Sequence, residues 1–317
     1  VPYNNVISRT DAAALIPEDV SAVLSTAVDE QSAALQLFRR VPMSRAQQRI
    51  PVISALPVAY FVNGDTGLKQ TTEAAWTNKY LDAEEIAAIV PVPENVLDDV
   101  DFDAWGAIRP LLAEAIARTL DAAIFFEVNK PASWPTGIAA AAIAAGNTYT
   151  RGTNNAAAGG IAQDISNLFA LVEADGFDVN GAIANRAYRG LLRSVRDTTG
   201  QLHSEVNAAS AYGVSMSYPM RGLWPAGATP PGLNAEFIAG DFSQGILGVR
   251  RDITYKVLDQ AVIQDNTGAI QFNLAQQDMV ALRVTARYAW QVPNPLNRDQ
   301  PTDANRYPFG VMRSPAA

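Results

Sequence analysis

Between Asp103 and Val128 apolar residues return every three or four positions: Trp105, Ile108, Leu112, Ile116, Leu120 and Ile124. Leu111, Ala115 and Ala123 widen the stripe, and Arg109, Glu114, Arg118 and Asp121 supply the polar side. That period is helical, and at 1.5 Å per residue the segment would run ~39 Å. A helix so long, with one apolar face, must lie along a body of comparable size, so the stripe reads as core. Asp101 or Asp103 can cap its start. Pro110 predicts a kink or a later start, because a proline this far inside removes a helical N–H.

On either side the period changes. Residues 1 to about 43 begin polar and then turn amphipathic, with Asp19 and Ser21 as caps for a helix carrying Val23, Leu24, Ala27, Ala34, Leu35 and Phe38, ended by Pro42. The first fifteen or so residues have little to bury and read as an extended arm. From Arg49 to Val92 the residues suit strands: Ile50–Ile53 and Val58–Val62 lead to the turn-rich Asn63-Gly64-Asp65-Thr66-Gly67, with a return through Trp76, Tyr80 and 86–92. A two-stranded hairpin is marginal alone in water, so it should dock on something.

Beyond the helix, residues 130 to about 158 are rich in Pro, Gly, Ala and Asn and read as a boundary. A helix from Ile161 to Asp175, closed by Gly176, precedes a buried strand at Ala182–Ala184 and a helix from Arg186 to Val195. Strands are expected at Gly213–Met216, Ala235–Gly240, Ile246–Val249, Ile253–Val257, Ile270–Phe272 and Met279–Trp290, then a polar, Pro-rich tail from Pro293.

Composition excludes several chemistries. With no cysteine, the chain has no disulfide, thiolate nucleophile or zinc–thiolate site. One histidine, His203, rules out a two-His metal site within a chain, and it stands in a polar run without a nucleophile-elbow pattern. The Asp98, Asp99, Asp101, Asp103 cluster lacks the spacing and glycine of an EF-hand loop and reads as a helix-start group. A net charge of −8 with no basic block argues against sequence-specific DNA binding. No stretch approaches the ~20 apolar residues of a membrane span, and the first residues are not a signal peptide. No catalytic, cofactor-binding or metal site is expected.

The segments, in this order, resemble the tailed-phage major capsid family, an α+β architecture known as the Hong Kong 97-type fold. Ile16-Pro17-Glu18 resembles the family's entry from arm to body, and the 50–92 hairpin its extended loop. Val90-Pro91-Val92-Pro93-Glu94-Asn95-Val96-Leu97-Asp98-Asp99 resembles the stretch before its spine helix. Ala184-Asn185-Arg186, Arg196-Asp197-Thr198-Thr199-Gly200 and Tyr212-Gly213-Val214-Ser215-Met216 resemble its axial domain. Gly240-Asp241-Phe242-Ser243, Gly248-Val249-Arg250-Arg251 and Val284-Thr285-Ala286-Arg287 resemble the return into its peripheral domain.

The resemblance implies an N-terminal arm and first helix at 1–43, an extended loop at 44–92, and a peripheral domain with spine helix at 93–129. An axial domain at 130–255 and return strands with a C-terminal tail at 256–317 complete it. It implies a virion protein, assembled in the host cytoplasm as pentamers and hexamers into an icosahedral shell. That shell would enclose double-stranded DNA without sequence-specific binding. Implied partners are a separate scaffold, a portal and decoration proteins, with no membrane. Some family members join the loop to a neighbour by a Lys–Asn isopeptide bond assisted by a carboxylate in an apolar site. Here the candidates are Lys69 or Lys79 with Asn266 or Asn273; between Val257 and Arg283 only Asp259, Asp265 and Asp278 offer the acid. The competing readings are an encapsulin-like nanocompartment shell, which shares the fold, and a metal-dependent enzyme.

Overall fold

The computed structural model describes residues 32–62, 69, 71–95, 104–196, 201–230, 232–265 and 267–315. In chain order they form α1 (Ala33–Leu37), β1 (Arg39–Pro42), β2 (Gln47–Ala55), β3 (Ala75–Asp82), β4 (Glu84–Pro93) and α2 (Ala104–Phe126). Next come α3 (Ile138–Ala145), β5 (Thr148–Thr150), α4 (Gly160–Ala174), β6 (Gly181–Ala184), α5 (Arg186–Arg193), β7 (Ser210–Ala211), β8 (Val214–Ser217) and β9 (Ala235–Gly240). The last are β10 (Ile246–Leu258), β11 (Val262–Gln264), β12 (Ile270–Asn273), β13 (Met279–Gln291) and β14 (Phe309–Arg313).

The helical stripe becomes the buried face of α2, where Leu112, Ile116, Leu120 and Ile124 all enter the core. Leu111 and Ala115, expected to widen that stripe, are exposed instead. Pro110 lies within the helix, and α2 does not start after it. The helix stops at Phe126, where Glu127 takes a left-handed φ of 62°.

A four-stranded sheet in the order β1-β10-β13-β4 lies against α2. Leu282, Val284, Ala286, Tyr288 and Trp290 alternate along β13 on the face that packs with the helix. This sheet corrects two expectations. The return leg of the 50–92 hairpin divides at Ala83, so that only β3 pairs with β2 while β4 pairs with β13. The cause is burial: Ile86, Ala88, Val90 and Val92 share one side of β4 and reach the core under α2, which a lone hairpin lacks. The expected strand at Val58–Val62 is not formed. Likewise, β10 is one continuous strand from Ile246 to Leu258, so an axial boundary at residue 255 falls inside a strand of this sheet.

A six-stranded sheet runs β5-β14-β9-β6-β8-β7. One face packs with α4 and α5 through Ile165, Leu168, Phe169, Tyr188 and Leu192. The other joins the main core through Ile183, Ile238, Phe309 and Val311. Residues 130–158 are therefore no mere boundary: the alanine run is the helix α3, closed by Gly146 at φ 92°, and β5 is an edge strand. Nor is the C-terminal stretch only a polar tail. Phe309–Met312 is buried and pairs with β9 and β5. Prolines dominate the reading of 293–308, while a five-residue strand buried on both sides leaves no alternation to see.

The helix expected to run on to Pro42 is described only as α1, and Pro42 belongs to β1; Asp19 and Ser21 lie outside the described residues. Phe38 leaves the helix in an extended conformation (φ −86°, ψ 154°). The start of α1 is fixed by the fully buried Asp121 of α2. Its Oδ1 accepts from Ser32 Oγ (2.7 Å) and Ala34 N (3.1 Å), and its Oδ2 from Ala33 N (2.8 Å). Burial pushes the carboxyl up from 3.8 to about 6, against these three hydrogen bonds, which favour the charged form.

Asp121→Ala should cost about 3 kcal/mol in urea unfolding, since it strands two backbone N–H groups and a hydroxyl. A pKa raised by folding gives stability that is full below the unfolded value and is lost as pH rises through the folded one. The wild-type advantage over Asp121→Asn should therefore shrink between pH 4 and 7. A difference independent of pH would show that Asp121 keeps an ordinary pKa.

Candidate assembly surface

Strand register decides what the β2–β3 hairpin presents. Ile53 pairs with Trp76, Val52 with Thr77, Pro51 with Asn78, Arg49 with Tyr80 and Gln48 with Leu81. Alternation then puts Val52 and Leu81 on one face, where both are buried; Leu81 joins Met43, Ile246 and Ala289 of the body. The other face carries Ile53, Trp76 and Tyr80, which are 40%, 65% and 46% exposed. Beyond β2, Phe61 is 100% exposed. Aromatic surface left open on a two-stranded element is a strong sign of a partner, because neither water nor the hairpin's own core accounts for it.

The root of this hairpin is braced by residues distant in sequence. Trp134 Nε1 donates to Asp82 O (3.0 Å) and Gln291 Nε2 to Tyr80 O (3.1 Å). Leu296 N donates to Ile53 O (3.3 Å) and Arg298 Nη2 to Pro57 O (2.6 Å). The brace at 296–298 was missed in the sequence because its contacts are to backbone carbonyls, which no side-chain pattern reports.

The open face of the four-stranded sheet is basic. Arg287 pairs across with Arg251 and Arg283 with Lys256. Glu85 holds Arg287 at 2.6 Å. Like charges directly opposite each other weaken a strand pair, so the sheet carries this face on its backbone ladder and its packed underside. A second hairpin, β11–β12, also exposes Val262 and Ile270.

Its turn is held by Asp265, which accepts from Thr267 Oγ1 (2.7 Å), Thr267 N (2.8 Å), Ala269 N (2.9 Å) and Gln271 Nε2 (3.1 Å). The Thr267 side chain, more than any other group, draws its pKa down to about 2. Such an acid is the reverse of a carboxyl kept protonated by an apolar site. Asp259 and Asp278 are exposed. Asn273 sits on β12, its Nδ2 donating to Gln276 Oε1 (2.8 Å). Lys79 lies on β3 opposite Ile50 and Lys69 is exposed, while Asn266 and the 63–67 turn lie outside the described residues. Among the described residues no hydrogen bond is seen between Lys69 or Lys79 and Asn273.

His203 packs edge-on against Tyr212, and its Nδ1 accepts from Glu205 N (3.3 Å). Among the described residues no hydroxyl or carboxylate is seen bonded to it. The Asp98–Asp103 cluster lies outside the described residues. No helix among the described residues is long and apolar enough to cross a membrane.

Comparison with known proteins gives this architecture a family. The major capsid protein of Staphylococcus phage 80alpha is 28% identical over 296 residues, covering 92% of this chain and 85% of that protein. The probable major capsid protein gp17 of Mycobacterium phage D29 is 26% identical, covering 87% and 86%. A solved structure from Microbacterium phage Oxtober96 superposes with a TM-score of 0.78 at 37% identity, covering 98% of this chain and 100% of that one. One from Mycobacterium phage Bobi gives 0.79 at 32%, covering 99% and 100%. The model of the phage capsid family matches residues 12–296, and the chain belongs to that family.

Proposed function

We propose that this chain is the major capsid protein of a tailed phage, joining copies of itself as pentamers and hexamers into the icosahedral head around double-stranded DNA. The observation that carries the proposal is the braced hairpin, whose Ile53, Trp76 and Tyr80 face finds no cover among the described residues, on a fold shared with phage capsid proteins. A closed shell needs heterologous contacts made by one chain in non-identical settings, and an outlying element on a stiff body suits that demand.

In Hong Kong 97-type terms, β2–β3 is the extended loop, and α2 with the four-stranded sheet is the peripheral domain. The six-stranded sheet with α3, α4 and α5 is the axial domain, with β14 added to it from the C-terminal stretch. This division keeps the break near residue 130 and assigns the whole of β10 to the peripheral domain. Assembly with a separate scaffold, a portal and decoration proteins, in the host cytoplasm, belongs to the same reading. An overall charge of −8 suits a wall that encloses DNA without gripping its phosphates.

Negative-stain electron microscopy of the protein expressed alone should show closed shells or five- and six-membered rings. Monodisperse monomers at high concentration, even with a scaffold supplied, would reject the reading. Because none of Asp259, Asp265 and Asp278 lies in an apolar site within the chain, boiled particles should run as one band near 33.9 kDa; a ladder would reveal covalent links. Trp76→Asp should leave subunit stability within about 0.5 kcal/mol, as exposed changes do, yet abolish shells in the same micrographs. Shells of normal yield from this variant would show that the open face is not a contact.

A further inference from the structure

Two clusters of like charge lie on the four-stranded sheet, and among the described residues neither is balanced. On the open face, Arg251 and Lys256 of β10 stand beside Arg287 and Arg283 of β13. Between these pairs lie Thr254 and Thr285, whose hydroxyls are 2.9 Å apart. Arg283 and Arg287 are ~13 Å apart along the strand. This basic floor is bounded at both ends: Met43 and Leu81 pack at Ala289, and Leu274 and Met279 pack at Ala281. Of the four cations, only Arg287 has a carboxylate partner among the described residues, Glu85.

The second cluster is acidic. Between Val257 and Leu282 there is no lysine or arginine. Asp259 follows β10, Asp278 precedes β13 and Glu94 follows β4. Those strands are neighbours in the order β10-β13-β4, so the three exposed acids share one end of the sheet, within ~10 Å across it. Glu94 N donates to Asp278 O (2.9 Å), which holds two of them together. None of the three forms an ion pair among the described residues. The adjoining β11–β12 hairpin adds exposed Val262 and Ile270.

We propose that the acidic sheet end of one copy, with its β11–β12 hairpin, seats on the basic floor of a second copy. This contact rests on the reading of the chain as a self-assembling subunit and names one of its interfaces. Charge complementarity selects the occupant: three unpaired carboxylates meet three unpaired cations, Arg251, Lys256 and Arg283, on patches of similar extent. The chain cannot make the match internally, because Asp278 and Arg283 are fixed ~17 Å apart along one strand. Each cluster repels itself within its own subunit, and a second copy relieves both. End and floor are different surfaces, so the contact is head-to-tail and can repeat around an axis.

The absence of cysteine makes the test clean. One version of the full chain carries Ala87→Cys, opposite Thr285 on the open face, and another Gln260→Cys, next to Asp259. Oxidised separately under assembly conditions, each should stay mainly monomeric on non-reducing gels; mixed, they should give a linked dimer. Its yield should fall about tenfold when the first version also carries Arg251→Glu and Arg283→Glu, in line with a few weak surface ion pairs reversed. It should recover when the second also carries Asp259→Lys and Asp278→Lys. No mixed dimer, as much dimer without mixing, or a yield indifferent to charge reversal in variants of unchanged thermal midpoint would each overturn the proposal. Electron micrographs of the cysteine-free chain keep the two readings apart. Shells without the mixed dimer remove this contact and leave the shell reading, while the mixed dimer without shells does the reverse.

Discussion

A single buried carboxylate decides where the chain enters its body. Asp121 receives Ser32, Ala33 and Ala34 from a segment nearly ninety residues away and so caps α1 against the C-terminal part of α2. Desolvation opposes this arrangement, and the pKa of about 6 shows burial outweighing three donors. Even so, the group remains mostly charged at neutral pH, which suits a helix N-terminus. With α1 fixed, Phe38 has one place to go. Its ring lies 5.8 Å from both Phe125 and Phe242, and Phe242 lies 5.2 Å from Phe309. This cluster ties α2 to β14 of the six-stranded sheet and to the turns that lead into β1 and β10. Gly245 completes it, since a Cβ there would collide with the Phe38 ring.

From that junction the molecule divides its physical tasks. The long antiparallel pair β10–β13, backed by α2, provides stiffness through a continuous ladder and a buried underside. The hairpin provides reach but has no core of its own beyond its root. Its direction is imposed by donors from 134, 291, 296 and 298, all aimed at its backbone carbonyls. Such bonds fix geometry without filling the side-chain face, which is how Trp76 stays available while its strand stays in register.

This division explains what could be read in advance. The α2 stripe and the α4 stripe ended by Gly176 were legible because amphipathic helices write their burial as a period. The β13 strand showed itself through branched and aromatic residues. What escaped depended on partners distant in sequence. β4 reads as the continuation of β3 until β13 takes it, and β14 is too short and too fully buried to alternate. The alanine run of α3 resembles a linker until its small side chains are seen against the core. For the assembly surface, the hairpin was visible in the sequence and its exposed aromatic face was not. Which of two alternating sets is open follows from the register with β2 and the position of Met43, and composition is silent on both.

Net charge is the least informative summary of this chain. A value of −8 suggests a uniformly acidic surface, yet β1, β2 and the turn between them expose four arginines, and the open sheet face sets Arg251 against Arg287 and Lys256 against Arg283. Each like-charged cross-strand pair costs a fraction of a kcal/mol, a sum the packed underside tolerates easily. With a Debye length of ~8 Å in physiological salt, a docking partner meets only the local patch. Contacts between copies of an acidic protein can therefore join oppositely charged surfaces, and they will weaken with salt even though the molecules repel as wholes.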